Sequence, residues 1–259
     1  MVLLALASCG LKGDSMKATD FFSPQMVTLL EDIAQGNQGD AQQKLAGGLD
    51  LNSRGQEGIT PLFWLMMEKD KDAVKRALQL GADPNYPSCT GNTPVAAVAG
   101  GNDDALLALL LDQGGDPNSV NQKGEPALFE AIGEERWSQV QMLLDHGADL
   151  DKLDNLHRNS ALYAATLNKY EIAYKLVELG ADYRLRSTVD DDIAWNIHEG
   201  LSQGLLNPAY PAYGWAQKLK TLLIEKGVQF PPLSPREVRI KEGRPNRWDL
   251  KAQAKEKQH

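Results

Sequence analysis

The sequence predicts an all-α repeat solenoid, and three observations carry that prediction. Glycines 48, 81, 114, 147 and 180 follow one another at intervals of 33 residues, inside the related segments GGLDLN (47–52), LGADPN (80–85), GGDPN (114–118), HGADLD (146–151) and LGADYR (179–184). A second marker keeps phase with the first. Gly58-Ile-Thr-Pro-Leu62 recurs as Gly91-Asn-Thr-Pro-Val95 and Gly124-Glu-Pro-Ala-Leu128, and a fourth copy, Arg158-Asn-Ser-Ala-Leu162, arrives one residue late. Between the markers, apolar residues return at three- and four-residue spacing in short runs such as PLFWLMMEK and DALLALLLDQ. Each run reads as a helix, and a pair of helices this short buries its apolar face only by stacking on its neighbours.

The elements follow in order. Thr60-Pro61 and Thr93-Pro94 suit helix starts, with threonine accepting from free N–H groups and proline at a position where its missing donor costs little. A turn separates the first helix from the second, and the repeating glycine ends the second, because a residue just past a helix end often takes a left-handed conformation. The register gives a divergent first unit at 24–57, regular units at 58–90, 91–123, 124–156 and 157–189, and a last unit at 190–230. In the last unit DIAWNIHEG and YGWAQKLKTLLIEKG supply the helices; its glycine, Gly227, lies 47 residues after Gly180, so 14 residues are inserted around LSQGLLNPAYPAY (201–213). Residues 231–259 hold four prolines and no sustained apolar period, and read as a basic extended tail with Trp248 as an anchor on the last repeat.

The 33-residue period, the T-P-L helix start and the G-A-D-x-N exit resemble the ankyrin repeat over roughly residues 24–230, which implies about five to six repeats with divergent caps. Where ankyrin repeats usually place histidine after the T-P-L leucine, this chain has Phe63, Ala96, Phe129, Tyr163 and Trp195.

Chemistry other than binding finds little support. The net charge is -8; from 231 to 259 there are eight Lys/Arg against four Asp/Glu, leaving the preceding residues at 19 against 31. An acidic body argues against nucleic acid, which needs a basic face. The histidines His146, His157, His198 and His259 do not fall into metal-ligand spacing with one another or with cysteine, and no phosphate-binding glycine loop appears, so no metal, cofactor or catalytic residue is expected. His146 suits a helix C-terminus, where a cation is favoured. The acidic runs DLDKLD (149–154) and VDDD (189–192) lack calcium-loop spacing and read as solvated faces, and Cys89 as a free thiol.

The resemblance implies a protein-binding surface of loop tips and first-helix ends. Carried onto this register, the contact positions are Gln56, Glu57, Ile59, Met67, Glu68, Thr90, Asn92, Gln122, Lys123, Glu125, Glu134, His157, Asn159 and Asn168. The aromatic row Phe63, Phe129, Tyr163 and Trp195 runs beside them, either as contact surface or as packing between a helix and the next loop. Tyr210 and Tyr213 place the insert on the same list.

Ahead of the repeats, Leu6-Ala7-Ser8-Cys9 resembles a bacterial lipobox, with Cys9 as the lipidated residue and residues 10–23 as tether; no basic n-region precedes it. The residue after the cysteine is Gly10, which implies an outer-membrane anchor facing the periplasm. Ankyrin lipoproteins of this kind resemble immunity proteins of type VI secretion. That resemblance implies a protein partner, a toxic effector of the lipase or phospholipase class, and membrane contact only through the lipid. A non-inhibitory periplasmic adaptor, for example in stress defence, and a cytoplasmic, host-directed ankyrin protein are the alternatives.

Overall fold

A computed structural model describes residues 16–256, which form helices and turns with no strand among them. The chain divides into two compact units, Met1–Ala148 and Asp149–His259.

In the first unit, four helix pairs follow one another: α1 (Pro24–Gln35) with α2 (Gln38–Ala46), α3 (Pro61–Met67) with α4 (Lys71–Gln79), α5 (Pro94–Val98) with α6 (Asp104–Asp112), and α7 (Ala127–Gly133) with α8 (Trp137–Asp145). The expected starts are in place. The Thr60 hydroxyl accepts from the Phe63 N–H at 3.2 Å and the Thr93 hydroxyl from Ala96 at 3.3 Å. Asp70 and Asp103 cap the second helices in the same way, at 2.9 and 3.0 Å. Phe63, Leu107, Leu110, Leu128, Phe129 and Leu143 fill the core. Phe21 and Phe22 close the N-terminal end against Trp64, with ring centroids at 5.7 and 6.3 Å.

Successive repeats are stitched by one residue per period. Asn52 donates its amide to the Gly81 carbonyl (3.1 Å) and accepts from the Asp83 N–H (2.7 Å). Asn85 repeats the pattern on Gly114 (3.0 Å) and Asp116 (2.7 Å), and Asn118 donates to Gly147 (3.1 Å). The stitch requires the helix to stop at a glycine whose carbonyl turns outward; Gly81 has φ +101°, a conformation that would strain any side chain.

The second unit contains α9 (Ser160–Thr166) with α10 (Tyr170–Glu178), α11 (Ile193–Ser202) with α12 (Pro211–Glu225), and the terminal helices α13 (Pro235–Lys241) and α14 (Arg247–Glu256). The residues capping first helices are Thr60, Thr93, Pro126, Asn159 and Asp192, each 33 after the last, so the fourth repeat is in phase rather than one residue late. Leu162, not Tyr163, is the counterpart of Phe63 and Phe129, and it is fully buried. The inserted residues lengthen both helices of the last pair, with Leu206 folding back so that its N–H meets the Gly200 carbonyl at 3.1 Å.

Two expectations fail here for electrostatic reasons. The acidic runs are solvated only in part: Asp149 and Asp151 are exposed, but Asp154 is 6 % exposed and accepts from Arg158 Nη2 at 2.6 Å, while Asp190 receives Arg244 Nη2 at 2.6 Å. The tail is not extended and Trp248 is not its anchor. Residues 235–256 form two helices held by arginines, Arg239 bidentate on Asp249 (2.7 and 2.9 Å) and Arg236 bidentate on Glu256 (2.7 and 2.9 Å). Arg186 on Glu242 (2.6 Å) ties this pair to the repeats.

Candidate protein-binding surface

Between one stitch and the next helix the chain makes a projecting turn, built alike in every repeat. The carbonyls of Ile59, Asn92, Glu125, Arg158 and Asp191 accept from the N–H groups of Gly55, Ser88, Asn121, Asp154 and Ser187, at 2.8 to 3.1 Å. A polar side chain at the second of these registers pins the tip. Asn121 Oδ1 accepts from Lys123 and Glu125 N–H (2.8 and 3.0 Å), and Asp154 Oδ1 from Leu156 and Arg158 N–H (2.9 and 2.8 Å). The left-handed position of the turn falls on Gly58, Gly91 and Gly124, then on His157 (φ +58°) and Asp190 (φ +67°).

Within each unit the tips therefore present side chains on a pinned turn. Gln56, Glu57, Gln122, Lys123 and His157 are exposed there, and Thr90 and Glu125 are half-buried. Neighbouring tips are linked by Asn92, which accepts from the Gln122 N–H at 2.9 Å, and by the Thr188 N–H on the Leu156 carbonyl at 2.9 Å. At the other end of the first helices, Glu68, Glu134 and Asn168 are exposed and Met67 half-buried. Asn168 has φ +58°, so it also serves the turn between helices.

Five expected contact residues are core instead. Ile59, Phe63 and Asn159 are 0 % exposed, Phe129 1 % and Asn92 6 %, so none presents a side chain to a partner. Asn159 is a stitch: it accepts from the Leu162 N–H (3.0 Å) and donates to Asp151 (2.7 Å) and to the Asp182 carbonyl (2.9 Å). The aromatic row splits accordingly. Phe63 and Phe129 are packing, whereas Tyr163, displaced by one position, is half-buried with the Arg158 guanidinium 4.9 Å from its ring centre. Trp195 is half-buried beside His198, ring centroids 5.6 Å apart. In the insert, Tyr210 is 67 % exposed and Tyr213 half-buried.

Sequence reasoning missed the apolar tips. Leu156 and Val189 occupy the tip register at 50 % and 62 % exposure, where the first unit has Glu57, Thr90 and Lys123. Their signal was an aliphatic residue at a register otherwise polar. It also missed a cleft of about 500 Å³ in the first unit, in which Val27, Leu30, Trp64 and Leu65 form an apolar floor rimmed by Glu31, Glu68 and Asp70.

Titration is shifted by burial or bonding without any catalytic pairing. Burial pushes the Tyr170 phenol up to about 12 and raises Asp192. The Arg239 guanidinium bound to Asp249 holds that carboxyl at about 2, and bonds from Gln139 and Ser138 lower Asp104. No cluster of metal-ligating side chains occurs among the described residues. Cys89, expected as a free thiol, is disulfide-bonded; the lipidation expected at Cys9 lies outside the described residues.

Comparison with known proteins agrees with this geometry. Residues 95–187 match the family model for ankyrin repeats (3 copies). No curated protein matches. Among solved structures, the crystal structure of EF0377, an ankyrin repeat protein, superposes with a TM-score of 0.57 at 21 % identity, over 76 % of this chain and 96 % of that one. Residues 95–187 thus match ankyrin repeats, and the chain has an all-helical repeat fold like that of the solved protein.

Proposed function

We propose that this chain is a periplasmic binding protein that occupies and blocks a secreted toxic enzyme, an immunity protein against a type VI effector of the lipase or phospholipase class. The observation that carries the reading is the set of turns in each unit, pinned by polar side chains such as Asn121 and Asp154 and offering different exposed groups. Pinned, varied turns are suited to recognising a folded protein, because little ordering is lost on binding. The acidic body favours a basic partner surface and speeds the encounter.

The anchor has a chemical constraint. The sequence contains two cysteines, Cys9 and Cys89. A Cys9 sulfur carrying lipid as a thioether cannot also bridge to Cys89. The intact mass of the protein from its membrane fraction, with and without reductant, separates the two fates: added lipid mass supports the anchor, and a gain of two hydrogens on reduction of the monomer supports an internal bridge without lipid.

Affinity capture of the full-length protein from membrane and periplasmic fractions tests the function. A stoichiometric secreted hydrolase, inactive while bound and active when released, is the expected result. A partner that stays active in the complex assigns an adaptor role instead, and recovery only from the cytosol overturns the periplasmic assignment.

A further inference from the structure

Helix α14 buries an aspartate and exposes its largest apolar side chains. Asp249 is 3 % exposed, while Trp248 is 64 % and Leu250 53 % exposed. The cause is Arg239 of α13, whose bidentate grip on Asp249 turns that side of the helix inward. At about 100° per residue the opposite side then runs Leu250, Ala254, Arg247, Lys251, Lys255, Trp248. Three cations form a stripe with an apolar side chain on each border. Arg247 and Lys251 lie 4.8 and 5.8 Å from the Trp248 ring centre. The ion pairs that dock the tail use Arg236, Arg239 and Arg244, and leave the stripe out.

We propose that this face of α14 rests on an anionic phospholipid surface. Charge complementarity points there: residues 231–259 carry eight basic against four acidic groups on a chain whose net charge is -8. No described helix is long and apolar enough to cross a membrane, so α14 lies in the interfacial plane, where tryptophan is favoured and lysine and arginine meet lipid phosphates. A lipid surface fits better than an acidic protein segment. The two apolar groups border the stripe on a convex helix and form no groove, and a planar interface takes both at once. The inference does not depend on the identity of the protein partner.

The test is co-sedimentation of the full-length protein with vesicles of phosphatidylcholine alone or mixed with phosphatidylglycerol. Binding is expected to be stronger to the anionic vesicles than to the neutral ones, and the excess is expected to vanish at high salt. Replacing Arg247, Lys251 and Lys255 together by Ala lowers partitioning by more than about tenfold. Trp248→Ser lowers it several-fold with every charge retained. Both variants keep the melting temperature, because the Arg239–Asp249 pair is untouched, and both keep the N-terminal segment, whose contribution cancels. Equal partitioning of wild type and the triple variant overturns the inference. So does equal binding to neutral vesicles, or failure to bind anionic vesicles by a protein that retains polyglutamate.

Discussion

The two units hold their repeats together by different chemistry. In Met1–Ala148 the stitch is Asn52, Asn85 and Asn118, a neutral amide that donates to one repeat and accepts from it in the same plane. In Asp149–His259 the register falls on Asp151, which has no donor, and the work divides: Asp151 accepts from the Asp182 N–H at 2.8 Å and Asn159 supplies the donor to the Asp182 carbonyl. One period later the register holds Arg184, whose guanidinium reaches the Lys226 carbonyl at 3.2 Å, and beyond it the arginine-held tail takes over. A small amide suffices where the next repeat arrives on schedule. Where the insertion displaces it, a longer charged side chain covers the gap.

The largest test of the comparison sets Phe63 of the first unit against Tyr163 of the second. Phe63→Ala, at a site with 0 % exposure, should cost about 3–5 kcal/mol in urea unfolding, from lost transfer energy and the cavity left behind. Tyr163→Ala in the second unit should cost about 1 kcal/mol, the worth of a surface contact with the Arg158 guanidinium. Equal losses would show that Tyr163 belongs to the core after all.

That pair also shows how far the sequence could be read. The period, the helix starts and the terminating glycines were legible because each is a local requirement written in one or two residues. The burial of Phe63 was not, because contact and packing share the same three- and four-residue spacing. Tyr163 was aligned with Phe63 through Leu162 and Leu62, whereas the structure counts from the caps Asn159 and Thr60. The tail helices stayed hidden for a further reason. Periodicity detects apolar residues turned inward, and α14 turns Asp249 inward.

The stitches give the next effect. Asn159→Ala removes a fully buried side chain and leaves the Leu162 N–H and the Asp182 carbonyl without their partner, a loss of about 2–3 kcal/mol. Asn85→Ala, at a solvent-facing stitch whose backbone groups water can reach, should lose about 1 kcal/mol. Hydrogen exchange locates each loss: Asn159→Ala should expose amides of the second unit, and Asn85→Ala those flanking Gly114. A larger penalty at Asn85 would mean that the regular ladder, not the buried substitute, carries the stability.

The smallest effect is pH-dependent and is confined to the first unit. His146 ends α8 with Nδ1 2.8 Å from the Met142 carbonyl oxygen and Nε2 3.2 Å from an Asp112 carboxylate oxygen. Both neighbours only accept, so only the doubly protonated ring donates to both, and the Met142 bond first, then Asp112, raises its pKa above the ordinary 6.5. A raised folded-state pKa contributes stability that is fully present below pH 6.5 and is lost as pH rises through the folded value. His146→Ala should therefore lower the melting temperature at pH 5.5 more than at pH 8.5, with the difference reduced in an Asp112→Asn background. The same register in the second unit holds Leu179, which cannot titrate, so the pH-dependent change in hydrogen exchange should stay within Met1–Ala148. A destabilisation independent of pH would show that His146 acts through its neutral contacts alone, and that the first unit's inter-repeat bonds are as indifferent to protons as its asparagines.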